Sequence, residues 1–218
     1  MVNKGNKTNI CFWEDVLKDA PQSYKELFVA ERKYLRRHVG RNSRLLEVGC
    51  GDGRSLRDVF TKTRDIYGVD NDTTAVLDAR RNLVDVPEAS ILLEDGRDLP
   101  FRGNLFDYVI CMTTPANFGE DKYKFYGEMR RTLKDDGEII ISVFNEGAFD
   151  DRMSTYVKSG AQIKDVRGTT VVFDESIGSN TSEQFSRSEL KETFYDAKLK
   201  PREIVKVGVG YICRLGKD

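Results

Sequence analysis

Residues 44–54, RLLEVGCGDGR, constrain the fold more than any other stretch of the chain. Leu45, Leu46 and Val48 make a short apolar strand, and Gly49, Gly51 and Gly53 follow at every second position. Glycine tolerates positive φ and leaves no side chain between backbone and ligand, so the chain turns sharply and its amides stay approachable. An apolar strand running into such a loop, with a helix behind it, is how an open α/β sheet holds a nucleotide-like cofactor. The spacing is G-x-G-x-G, distinct from the G-x-G-x-x-G of dinucleotide sites.

Beyond the loop, strands and helices alternate. Helix is expected from Ser55, strand at 66–69 ending at Asp70, helix over 72–84, and strand at 90–93 ending in Glu94-Asp95. A further strand is expected over 105–112, LFDYVICM, apolar enough to be covered on both faces. Helix 121–134, stopped by Asp135-Asp136-Gly137, then precedes a strand from Glu138 to Phe144. Such repetition implies right-handed crossovers and a parallel sheet. Residues 145–185 interrupt the rhythm with a hairpin-like Thr169–Phe173, too long a connection to be an ordinary loop. Helix returns at 187–197, with Ser186 and Glu189 placed for a capping box. Glu203 to Leu215 gives two antiparallel strands joined near Gly208–Gly210. Before the loop, Phe12 to Val39 suggests two helices broken at Pro21, which either cap the cofactor or pack on the sheet.

With 218 residues the chain suits one α/β domain with a modest insertion. Its formal charge of -1 gives no general attraction to DNA or RNA, and the cluster Arg32, Lys33, Arg36, Arg37, Arg41 and Arg44 reads as a solvated helix face. Cys11, Cys50, Cys111 and Cys213 form no C-x-x-C pair and His38 is the single histidine, so no metal site is expected. No apolar run approaches the length of a membrane span, and a reduced cytoplasmic setting is the default.

From about residue 40 onward the chain resembles the class I S-adenosylmethionine-dependent methyltransferases, through ordered motifs at the ends of successive strands. The resemblance implies a doubly wound, mostly parallel seven-stranded sheet with one antiparallel C-terminal strand and helices on both faces. It divides the chain into an N-terminal helical cap, 1–40, and a methyltransferase domain, 41–218, with a lid-like insertion at 145–185. Glu47, Gly49, Cys50, Gly51 and Asp52 would lie along the methionine part of the cofactor. Asp70 would accept from both ribose hydroxyls, and Asn71 would touch the adenine or shape the turn. Asp95 would take the adenine amino group, with Gly96 or Arg97 supplying a backbone N–H. Met112 and Thr113, in CMTTPANF, would lie beside the sulfonium, with Thr114 and Asn117 as further polar contacts.

The segment CMTTPANF lacks both the N/D-P-P-Y/F signature and a Pro-Cys nucleophile, so Cys111 is read as core. Methyl transfer depends mainly on alignment, because the sulfonium is already electrophilic. Asn117, Tyr123 and Tyr156 are candidates for acting on the acceptor, and Trp13, Tyr24, Tyr126 and Tyr211 for lining it; His38 lies outside the usual positions for a base. The expected reaction moves a methyl group to an N or O atom of a small molecule, giving S-adenosylhomocysteine, in a monomer or homodimer without metal, membrane or nucleic acid. The alternatives are a protein or RNA acceptor, an NAD(P)-dependent oxidoreductase, and a non-catalytic cofactor binder. Against the oxidoreductase, Tyr123 and Tyr156 are each followed four places on by glycine, with no Tyr-x-x-x-Lys pair.

Overall fold

The computed structural model describes residues 20–174 and 181–218. A seven-stranded sheet forms its middle layer. Its strands are β1 (Leu45–Val48), β2 (Ile66–Asp70), β3 (Ser90–Leu93), β4 (Phe106–Met112), β5 (Leu133–Phe144), β9 (Leu199–Val207) and β10 (Gly210–Lys217), in the order β3-β2-β1-β4-β5-β10-β9. The first five run parallel, and β10 is antiparallel to both β5 and β9. The order reverses between β1 and β4, and the glycine loop leaves β1 at that switch point, where open α/β sheets bind ligands.

Alternation along the strands divides the core between the two faces. Leu45, Ile110, Ile140 and Ile212 pack against α1 (Gln22–His38), α2 (Arg54–Val59) and α3 (Thr73–Asn82). Leu46, Val109, Ile141 and Cys213 pack against α4 (Lys122–Thr132) and α6 (Arg187–Asp196). Tyr24, Leu27 and Leu35 place α1 on the sheet, with Pro21 at its N-cap; the first of the two expected helices, and Trp13, lie outside the described residues. Asp72 caps α3 by accepting from Thr74 N at 2.7 Å and Ala75 N at 3.2 Å, worth about 1 kcal/mol. The capping box at α6 is complete: Ser186 N donates to Glu189 Oε2 at 2.7 Å, and Glu189 N to Ser186 Oγ at 3.3 Å.

Two expectations need correction. The helix expected to run to 134 ends at Thr132, and extended chain begins at Leu133. Leu133 pairs with Phe106 while Glu138 pairs with Tyr108, so Asp135-Asp136-Gly137 is a bulge in the strand rather than a helix stop. The insertion holds more than a hairpin. Helix α5 (Phe149–Lys158) precedes a three-stranded sheet of β6 (Ile163–Arg167), β7 (Thr170–Phe173) and β8 (Thr181–Ser182), around a small core of Tyr156, Val171 and Phe173.

Candidate cofactor and acceptor site

The glycine loop has left-handed backbone at Gly49 (φ 74°), Gly51 (φ 52°) and Gly53 (φ 82°). A Cβ at Gly49 would lie 2.5 Å from Thr114 Cγ2, whereas one at Gly51 would meet nothing within 4 Å. The loop is therefore clamped at its base and open at its tip. Gly49 N and Cys50 N donate to Val69 O at 2.8 and 3.0 Å, and Gly51 N donates to Asp70 Oδ2 at 2.8 Å. Asp70 Oδ1 accepts from Asp72 N at 3.0 Å. Burial pushes the Asp70 carboxyl up, and these backbone donors oppose it. A carboxylate has about four lone-pair sites, so each Asp70 oxygen retains room for a hydroxyl.

Val48, Val69 and Phe118 give apolar walls to a hollow beside this carboxylate, closed by Thr114 and edged by Gly49, Asn71, Glu94 and Gly96. Asp70, Asn71, Gly49 and Gly96 thus come together. The Asp95 carboxylate is held instead by Arg97, with Nη2–Oδ2 at 2.7 Å and Arg97 N to Oδ1 at 2.8 Å, and Arg97 also reaches Asp121 at 2.5 Å. That pairing keeps Asp95 below the usual carboxylate range. Glu94, beside Asp95 at the strand end, lines the hollow. The apolar walls and carboxylate edge match an adenosine, and the open glycine tip admits its charged extension, so these residues fit S-adenosylmethionine.

Glu47 shares a strand face with Leu45 and points under the loop, toward α1 and α2. It is 2% exposed and its Oε2 has no hydrogen-bond partner. Desolvation pushes its pKa up to about 8, against the pull of Arg54. Arg54 also sits 4.3 Å over the Phe28 ring and donates to Glu31, whose other oxygen accepts from Ser142 Oγ at 2.5 Å. Glu31 carried no sequence motif and Arg54 only closes the glycine-loop stretch; the packing of α1 on the sheet brings them together beneath the loop. Asp52 Oδ1 accepts from Arg54 N at 3.1 Å.

On the acceptor side, Thr113 is left-handed (φ 63°); its N–H donates to Ser142 O at 3.0 Å and its hydroxyl to Met112 O at 2.7 Å. The Asn117 Oδ1 is buried without a partner. Tyr123 is 43% exposed in a groove of about 560 Å³ that Phe185, Gln184 and several acids also line. Tyr156 is fully buried with its hydroxyl 2.6 Å from Ser182 Oγ, and burial raises its pKa. The three candidates thus differ in exposure: Tyr156 and the Asn117 carbonyl are enclosed, and Tyr123 faces the groove. Tyr126 and Tyr211 belong to the sheet core.

Burial pushes the Cys50 and Cys111 thiols well up, so neither is a nucleophile at neutral pH. His38 stacks on Tyr34 at 4.2 Å, among Arg214, Glu203 and Glu138, at the end of the sheet away from the hollow. In the basic cluster, Arg32 and Arg44 pair with Asp58 and Asp65, at 2.7 and 2.8 Å. Among the described residues no group of three His, Cys, Asp or Glu could hold a metal, and no helix is long and apolar enough to cross a membrane.

Residues 46–141 match the family described as a methyltransferase domain. An uncharacterized protein of Methanocaldococcus jannaschii is 31% identical over 128 residues, 58% of this chain and 57% of that one. The malonyl-[acyl-carrier protein] O-methyltransferase of Geobacter sulfurreducens is 30% identical over 117 residues, 52% of this chain and 43% of that one. The matches thus span about half the length of these curated relatives. A Burkholderia thailandensis 1,6-didemethyltoxoflavin-N1-methyltransferase, solved with S-adenosylhomocysteine bound, superposes with a TM-score of 0.71. It shares 17% identity over 96% of this chain and 84% of that one, and so speaks for the fold alone. The glycine loop at the switch point and Asp70 at the end of β2 both fall within residues 46–141, the stretch that matches a methyltransferase domain.

Proposed function

We propose that the protein is an active methyltransferase that moves a methyl group from S-adenosylmethionine to an N or O atom of a small molecule, releasing S-adenosylhomocysteine. The observation that carries this reading is the docking of the insertion on the turn that closes the hollow. Glu183 N, just after β8, donates to Ala116 O at 2.9 Å, between Thr114 and Phe118. The insertion therefore stands at the reacting end of the hollow, where it restricts an acceptor to small size.

The bound cofactor would supply an electrophilic methyl on a sulfonium. Gly51 and Asp70 hold its polar parts, and Asp52 shapes the loop. Asn117 presents a carbonyl to an N–H or O–H of the acceptor and so orients its lone pair, while Thr113 fixes the turn beneath. No buried base is required for an arylamine or an already ionised hydroxyl, whose nucleophilic lone pair is available at neutral pH. Alignment within an enclosed space supplies most of the acceleration.

Thermal unfolding with S-adenosylmethionine, S-adenosylhomocysteine, NAD and NADP tests the cofactor. A ligand at 100 times its Kd adds about 2.7 kcal/mol. A shift with both adenosyl compounds, followed by label transfer from S-adenosylmethionine to a panel of small amines, phenols and carboxylates, supports the proposal. A shift with the nicotinamides alone would overturn it. Label entering only added protein or RNA would replace the small-molecule acceptor, and binding without transfer to any acceptor would point to a cofactor sensor.

A further inference from the structure

Helix α5 carries a buried cation that has no counterion among the described residues. Arg152 is 3% exposed, and among the described residues it forms no ion pair. Its Nη2 donates to Ser182 Oγ, and its Nε has no hydrogen-bond partner. The guanidinium lies 4.0 Å over the Phe144 ring and 5.2 Å from the Tyr156 ring centre. Aromatic faces offset only part of the cost of taking a full charge out of water, which is why buried arginines are normally paired with carboxylates.

Two more orphaned groups lie beside it. The Tyr24 hydroxyl is buried and unpartnered, its ring 4.6 Å from Phe144. Burial pushes this phenol up to about 12 while the adjacent Arg152 charge pulls it down. Gln184 is 4% exposed and lines the large groove; its amide donates to Ser182 Oγ at 3.2 Å, leaving Oε1 without a partner. A charged N–H, a phenolic O–H and an amide carbonyl are thus gathered around Phe144 and Ser182, each with hydrogen-bonding capacity left. Phe144 ends β5 two residues beyond Ser142, the partner of Thr113, so these groups lie on the acceptor side.

We propose that Arg152 and Tyr24 hold the carboxylate of the methyl acceptor, with Gln184 taking an N–H or O–H of the same molecule. The acceptor is then a small monocarboxylate bearing an amine or hydroxyl. This deepens the function proposed above and rests on it. A dianionic phosphate fits less well. Lys122 and Arg167, the cations of the groove, are already paired with Glu183 and Asp165 at 2.9 Å, and Glu189, Glu192 and Asp196 make its rim acidic. A single unpaired guanidinium balances a single negative charge.

The test is calorimetric titration of the full chain with acetate, benzoate and 4-aminobenzoate, each against its primary amide, with and without S-adenosylhomocysteine. At least one carboxylate is expected to bind ten-fold or more tighter than its amide. Arg152→Met should erase that preference while changing S-adenosylhomocysteine affinity less than two-fold, and its unfolding midpoint should hold or rise, because an unpaired buried charge has been removed. Arg152→Lys should retain part of the preference. If Arg152→Met does not fold, Tyr24→Phe serves in its place and should weaken the carboxylate about three-fold. No carboxylate preference in the natural protein, or a preference that survives both Arg152→Met and Tyr24→Phe, would overturn the proposal. Failure of S-adenosylhomocysteine to bind while the carboxylate preference persists would sink the methyltransferase reading and leave the Arg152 anion site standing.

Discussion

Arg54 Nη2 donates to Glu31 Oε2 at 2.8 Å, joining the first helical turn after the glycine loop to the middle of α1. The same guanidinium lowers the Glu47 pKa, so one cation serves two buried carboxyl groups. Glu31 is also bound to Ser142 on β5, so the cluster ties α1, the loop and the acceptor-side strand together.

Removing Arg54 should therefore cost far more than a surface charge. Arg54→Met leaves Glu31 and Glu47 buried without a counterion, a loss of about 3–5 kcal/mol when such charges are ionised. The loss should be largest near pH 8 and smaller near pH 5, where the Glu47 carboxyl is protonated. Urea unfolding at both pH values checks this. A loss below about 1 kcal/mol at pH 8, the range of an exposed pair, would contradict the buried cluster.

Glu47 sets a pH dependence of its own. Its carboxyl is raised by burial from an ordinary 4.5 to about 8. Between those values the folded protein binds more protons than the unfolded chain, so stability falls as pH rises. The contribution is fully present below about pH 4.5 and is lost through pH 8. At roughly 1.4 kcal/mol per pKa unit the loss is on the order of 2–4 kcal/mol after allowance for local water and coupling to Arg54. Glu47→Gln keeps the shape and cannot ionise, so its stability should be flatter between pH 5.5 and 8.5. A wild-type slope that persists in the variant would assign the titration elsewhere.

The parts of this site legible in the sequence are those that backbone chemistry dictates. Three alternate glycines require a left-handed loop, and acids ending β2 and β3 are visible because the strands before them are short and apolar. What escaped depends on tertiary packing. Glu31 carries no local signal, since its partner Arg54 is 23 residues away and Ser142 is 111 residues away. Arg152 lies on a helix hidden in a polar stretch whose apolar positions pack on an insertion rather than on the main sheet. The choice between Glu94 and Asp95 turns on the Arg97 fork, whose orientation no strand pattern encodes. Asp135-Asp136-Gly137 resembled a helix stop because the same residues suit a bulge.

The base of the loop can be probed by size. In Gly49→Ala the new Cβ would lie 2.5 Å from Thr114 Cγ2 and 2.6 Å from its Oγ1, at a φ of 74° that disfavours any side chain. The backbone penalty alone is about 1–2 kcal/mol, and displacement of Thr114 should widen the entrance to the hollow. We expect a midpoint lowered by several degrees and cofactor affinity reduced at least ten-fold. Adding Thr114→Ala should recover part of the stability, because the clash is relieved and the φ strain is not. No recovery in the double variant would mean that backbone strain alone accounts for the loss.

Asp70 and Asp95 should respond differently to the same change. Asp70 receives two backbone N–H groups, so Asn in its place must turn an amide N–H₂ toward one of them, donor against donor. That misfit costs about 1–3 kcal/mol, and one acceptor for the ribose hydroxyls is lost as well. Asp70→Asn should weaken S-adenosylmethionine binding by about 10–100-fold, or about 1.4–2.8 kcal/mol. Asp95 and Arg97 are 39% and 37% exposed, so their pair adds about 1 kcal/mol at most to stability. If that pair persists on binding, Asp95→Asn should change cofactor affinity less than three-fold. Calorimetric titration of both variants decides the matter. Equal losses would mean that the Asp95 carboxylate leaves Arg97 to reach the adenine, and that Glu94 is only a wall of the hollow.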